Sequence, residues 1–139
     1  MDRLLARIDE LGGQDVYPVV PLELFFTGND DPASIAPNLQ PHPGVRTFER
    51  VLGEIRDRPE VANVVLQIDE VVEGEWPYAQ AAYVITTASA EDVHRWAAEL
   101  QPDELVGEED EIPPWLGRPA PPGSPEVPAG YRIVTLFWD

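Results

Sequence analysis

The chain has 139 residues and carries 26 Asp and Glu against nine basic residues, all arginine, for a formal net charge of −17. That length suits one domain with a sizeable core, and its 43% hydrophobic and 25% charged residues are ordinary for a globular protein. So negative a surface repels nucleic-acid phosphates and anionic membranes and suits basic partners, while the absence of Cys and Lys removes disulfides, a thiolate nucleophile, a Cys-based zinc site, a Schiff base and the P-loop phosphate grip.

No run of about 18 apolar residues could span a membrane. The opening MDRLLARIDELGG alternates charge with Leu and Ile and lacks the h-region of a signal peptide, so a cytoplasmic location is expected. Within it, Leu4, Ile8 and Leu11 recur at helical spacing, and Gly12 and Gly13 stop the helix. YPVVPLELFF (17–26) reads as a strand: Val20, Leu22, Leu24 and Phe26 share one face, and Val19, Pro21, Glu23 and Phe25 the other. Pro21 cannot donate to a ladder, so regular pairing is expected to begin at Leu22 or to carry a bulge there. In the irregular stretch 27–44, Asp31 before Pro32 looks like an N-cap and N1 pair opening a short helical turn. Val45, Phe48, Val51, Leu52 and Ile55 then form the apolar stripe of a clear helix that Pro59 ends.

Residues 61–72 read as a second strand, with Val64, Leu66 and Ile68 alternating against Gln67 and Asp69. After a turn at EGEWPY, residues 79–88 form a charge-free third strand suited to a sheet interior. Ser89 caps the next helix with Asp92 three residues on, and Val93, Trp96, Ala97 and Leu100 line its buried stripe. Residues 101–130 hold eight of the sixteen prolines and the acid run Glu108, Glu109, Asp110 and Glu111. A long surface loop is expected there, pinned to the body by Trp115. YRIVTLFWD closes the chain as a strand, with Ile133, Thr135 and Phe137 on one face and Val134, Leu136 and Trp138 on the other.

The order is that of an α+β protein: a ferredoxin-like βαββαβ sandwich with an N-terminal helix and a long Pro-rich acidic loop before the last strand. The expectation is a single domain over 1–139, with 1–16 as a helical extension and 101–130 as the loop. Strands near 19–26, 61–71, 80–88 and 131–138 should form one mostly antiparallel sheet, the first and third central and the second and fourth at the edges. Helices near 45–57 and 90–100 should cover one face.

Motifs for catalysis are missing. His42 and His94 share no metal-binding spacing, and no G-x-S-x-G elbow or glycine-rich phosphate loop occurs. Asn29, Asp30 and Asp31 fail the EF-hand pattern, since the twelfth residue is Gln40 and intervening ligands are absent. Arg46, Arg50, Arg56 and Arg58 alternate with Glu49, Glu54 and Asp57 along the helix, which is i,i+4 support and not a nucleic-acid patch. No cofactor, catalytic or metal-binding residue is assigned.

Two stretches, LELFFTGNDDPASIAPN (22–38) and EWPYAQAAYVITTASAEDVHRWAAELQPDEL (75–105), resemble a group of small acidic bacterial proteins without assigned activity, some of them suspected immunity factors for secreted toxins. The resemblance implies no site residues. Together with the charge, it makes a non-catalytic binding protein the leading expectation, in its sharpest form an immunity-type inhibitor of a basic protein toxin. The expected partner-binding residues are Asp69, Glu70, Glu73, Glu75, Trp76, Glu108, Glu109, Asp110, Glu111 and Trp115. The alternative is a ferredoxin-like homodimer that binds a small ligand, or carries out a reaction, on the open sheet face.

Overall fold

A computed structural model describes residues 1–103 and 120–138. The first helix, α1 (Asp2–Glu10), buries Leu4 and Ile8, the i,i+4 pair that its sequence spacing puts on one face. Its end is closed by the Gly13 N–H, which donates to the Ile8 carbonyl at 2.9 Å across two left-handed glycines. A 3₁₀ turn (Gln14–Val16) leads into β1 (Val19–Pro21).

Here the structure corrects the sequence reading. Only Val19–Pro21 is strand, and Leu22–Phe26 forms a short helix, α2. Pro21, extended at ψ 159°, is the N-cap residue of that helix, where its missing N–H costs nothing. Leu22, Phe25 and Phe26 are buried together by i,i+3 and i,i+4 spacing, and the two Phe rings meet edge to face at 5.0 Å. Over five residues, LELFF, the apolar positions satisfy either period.

α3 (Val45–Arg56) buries Val45, Phe48, Val51, Leu52 and Ile55, the stripe expected of it. β2 (Val61–Glu70) and β3 (Tyr78–Thr86) follow as a long hairpin. α4 (Ala90–Trp96) begins at Ser89, whose Oγ accepts the Asp92 N–H at 3.1 Å. β4 is Arg132–Phe137. Residues 101–103 and 120–131 hold no helix or strand.

The sheet has order β1-β2-β3-β4 and every neighbouring pair is antiparallel. It is a mixed α+β fold, but its strand order is not the ferredoxin-like one. β1 lies at an edge and β2 in the interior, the reverse of what was expected. The extra helix is the reason. α2 and α3 run antiparallel, since Glu23 at the start of α2 pairs with Arg56 at the end of α3 at 3.2 Å, and Phe26 at the end of α2 meets Arg46 at the start of α3. One helix between two strands returns the chain parallel; two antiparallel helices reverse it once more and lay β2 antiparallel beside β1.

The two main helices do share one face. α1, α2, α3 and α4 all contribute to one core with Val20, Val64, Leu66, Ile68, Val84, Val134, Leu136 and Trp138. The Trp138 ring packs on Phe48 at 5.3 Å, and its Nε1 donates to the Leu100 carbonyl at 2.9 Å. On the other face Val19, Val65, Tyr83, Ile85 and Ile133 form a second buried cluster beside Tyr131. The Val19 N–H, pointing away from β2 in the plane of the sheet, donates to the Pro122 carbonyl at 2.9 Å, so residues 121–124 run along the outer edge of β1.

Candidate functional site

Two segments without regular hydrogen bonding meet at one end of the sheet. The first is the loop after α2. Asn29, fully buried, donates from Nδ2 to Ser34 Oγ at 2.9 Å and accepts the Asp31 N–H on Oδ1 at 2.9 Å. Asp31 Oδ1 then accepts the Ala33 N–H at 2.9 Å and caps the 3₁₀ turn Pro32–Ser34, the capping role its sequence suggested. Arg46 Nη2 reaches over from α3 to the Phe26 carbonyl at 2.9 Å and to the Asn29 carbonyl. A parallel bridge from Ile35 to Ala79 pins the far side of the loop to β3.

The second segment is the β2–β3 connection. Register shifts beyond Gln67 loosen the ladder. A turn closed by Glu75 N–H to the Val72 carbonyl at 3.1 Å, with Gly74 left-handed at φ 82°, brings Trp76 and Tyr78 back. Between the segments lies a cleft of about 280 Å³ lined by Asp31, Ala33, Glu70, Glu75, Trp76 and Tyr78, with Pro37 and Val72 at its margin. Glu70 and Glu75 are exposed, and Asp31, Trp76 and Tyr78 half-buried. The Trp76 ring packs against the main core. Its Nε1 is shielded from solvent and has no hydrogen-bond partner among the described residues.

The charge distribution is one-sided. No arginine occurs between Arg7 and Arg46, or between Arg58 and Arg95, so neither cleft segment carries a cation of its own, although Arg46 of α3 reaches the first at the Phe26 and Asn29 carbonyls. The arginines of α3 and α4 are engaged on the helical layer, Arg46 also with the loop after α2. Arg46 pairs with Glu49 at 2.7 Å, Arg50 with Glu54 at 3.2 Å and with Glu99 at 2.6 Å, and Arg95 with Asp92 at 2.9 Å. Hydrogen bonding to Glu99 and then Glu54 raises the Arg50 guanidinium above its usual pKa, so it stays charged. Arg58 stacks over Trp96, 4.0 Å from the ring centroid.

Of the residues singled out from sequence, Glu70, Glu75 and Trp76 line the cleft. Asp69, half-buried near the end of β2, and Glu73, exposed in the β2–β3 connection, are their neighbours in sequence and do not line the cleft. Glu108, Glu109, Asp110, Glu111 and Trp115 lie outside the described residues. Sequence reasoning missed Asp31 and Tyr78 as members of the site. Asp31 carried two signals, its turn-capping position and its place beside Asn29 and Asp30 as a candidate hard-cation ligand; the failed EF-hand spacing left only the first. Carboxylates accept charge-assisted hydrogen bonds, and the face of an aromatic ring attracts positive charge. Among the described residues, no group of three or more His, Asp or Glu is arranged to hold a metal ion, and no helix is long and apolar enough to cross a membrane.

A profile of the Uncharacterized protein YfbO family matches residues 1–136. The chain is also similar to "Uncharacterized protein YfbO" of Escherichia coli (strain K12), at 34% identity over 125 residues, covering 88% of this chain and 83% of that protein. No solved structure matches.

Proposed function

The chain belongs to the Uncharacterized protein YfbO family, and we propose that it is a non-catalytic binding protein that docks a basic segment of another protein at the acidic end of its sheet. One observation carries this reading: Asp31, Glu70 and Glu75 converge with Trp76 and Tyr78 on one cleft, and neither segment that builds it contains an arginine. A field of one sign at one end steers an oppositely charged partner and rejects like-charged ones. Inhibition of a basic toxin in the manner of an immunity protein is the sharpest form of this role.

The sheet-face alternative has less support. Val19, Val65, Tyr83, Ile85 and Ile133 are buried on that face, and Glu23 and Phe25, expected to line it, sit instead on α2.

Affinity purification from the native host, with the parent chain and an Asp31→Asn/Glu70→Gln/Glu75→Gln variant side by side, tests the proposal. A basic protein captured by the parent and lost with the neutralised variant supports it. Equal capture by both removes the cleft from the interface.

A further inference from the structure

The 3₁₀ turn ahead of β1 holds an exposed tyrosine at the same acidic end. Gln14 Oε1 accepts the Val71 N–H at 2.7 Å, and the Pro18 carbonyl accepts the Ile68 N–H at 2.9 Å. The turn is thus stapled along the last residues of β2 and the start of the connection. Between those two bonds sits Tyr17, at φ 50° and ψ 58°, a left-handed conformation that a bulky aromatic residue rarely adopts. Its side chain is 49% exposed. Val16 beside it and Val72 at the cleft margin are each 42% exposed. Of the five large apolar side chains exposed among the described residues, these are three; Met1 and Val127 are the others. Scattered apolar residues on a surface need no explanation. Three gathered at one end, one of them held out by strained backbone, do.

Resting on the basic-partner reading above, we propose that Tyr17, Val16 and Val72 are the apolar anchor of that same interface, and that the partner segment is amphipathic, presenting an apolar side chain flanked by Lys or Arg. Asp15, Asp69, Glu70 and Glu73 surround the three in sequence and supply no cation, which sets the charge of the occupant. A second copy of this chain, itself at −17, would bring carboxylates against carboxylates and does not fit. The division of labour follows from physics. Exposed carboxylates accelerate encounter, while a tyrosine buried on docking slows release, since it offers large contact area at low entropy cost.

The test titrates the isotope-labelled full chain with a short Leu/Lys amphipathic helical peptide, and with the same peptide carrying Ser in place of Leu. The Leu/Lys peptide should shift the amide resonances of residues 16–17 and 69–76. Tyr17→Asn and Tyr17→Gly, both suited to left-handed backbone, should weaken its binding about tenfold through faster dissociation. Asp69→Asn/Glu70→Gln/Glu73→Gln should instead slow association. Both Tyr17 variants should melt no lower than the parent. Lower melting would make Tyr17 a structural residue and overturn the proposal, as would an unchanged dissociation rate in the two folded variants. Equal binding of the Ser peptide would sink the apolar anchor while leaving the basic-partner reading intact. If neither peptide shifts any resonance at this end, both fall.

Discussion

Gly123 shows how much one residue can carry. Its backbone is left-handed at φ +88°, and a Cβ placed there would lie 2.4 Å from the Val19 carbonyl oxygen and 2.9 Å from Leu11 Cδ1. Gly130 has a similar φ of +84° but nothing within 4 Å of its would-be Cβ. The pair separates two costs. Gly130→Ala should lose only the conformational term, about 1 kcal/mol. Gly123→Ala must also push backbone from backbone where residues 121–124 run along the edge of β1, and should cost about 2–4 kcal/mol in chemical denaturation. Equal losses would mean that the contact at Val19 yields easily. Nothing in the sequence distinguished these two glycines. Trp138, by contrast, was legible: strand alternation put it on one face with Val134 and Leu136, and all three are buried in the main core. Tyr17 was not, because left-handed backbone is announced by Gly or Asn and not by an aromatic residue.

At the scale of elements, helices α1, α3 and α4 were readable because their apolar spacing and caps agreed. Residues 22–26 were not, because alternation and helical spacing coincide over so short a run, and tertiary contact decided. That small helix reverses the chain, so the misreading of five residues became a misreading of strand order. What holds the α2–α3 pair antiparallel can be apportioned. At one end, Arg46 satisfies the carbonyls of Phe26 and Asn29, which follow the last turn of α2. At the other, Arg56 meets Glu23 in solvent, with side chains 38% and 70% exposed. Arg46→Met should therefore cost about 1–3 kcal/mol, since two backbone acceptors lose a charged donor. Arg56→Met should cost under about 1 kcal/mol. Urea midpoints of the two single variants decide it, and a larger loss at Arg56 would contradict this assignment. Arg46 also fixes the loop that presents Asp31, so its variant should weaken any binding at the cleft as well.

For the whole molecule, composition alone foretold the acidity but not its placement. That half of the site came from sequence, as Glu70, Glu75 and Trp76, reflects their nearness in one connection. Asp31 joins them where the Ile35–Ala79 bridge ties its loop to β3, a contact across more than forty positions that no local pattern reveals. Crowding carboxylates at one end opposes folding, because like charges repel most in the compact state. Salt acts on two opposing terms. It screens the exposed arginine pairs, which contribute little in solvent, and it screens the self-repulsion of a chain at −17. The second should win, since uncompensated acids far outnumber paired ones at the cleft end. Raising sodium chloride from about 20 mM, where the Debye length is ~20 Å, to about 0.5 M, where it is ~4 Å, should therefore stabilise the fold by about 1 kcal/mol, or ~3–5 °C in melting temperature. Neutralising Asp69, Glu70, Glu73 and Glu75 together should raise the low-salt melting temperature and shrink that salt response. Stability gained by removing these four carboxylates, two of which line the cleft, would mark them as kept at the fold's expense for a partner. A melting temperature that falls with salt would instead show that the arginine pairs outweigh the repulsion.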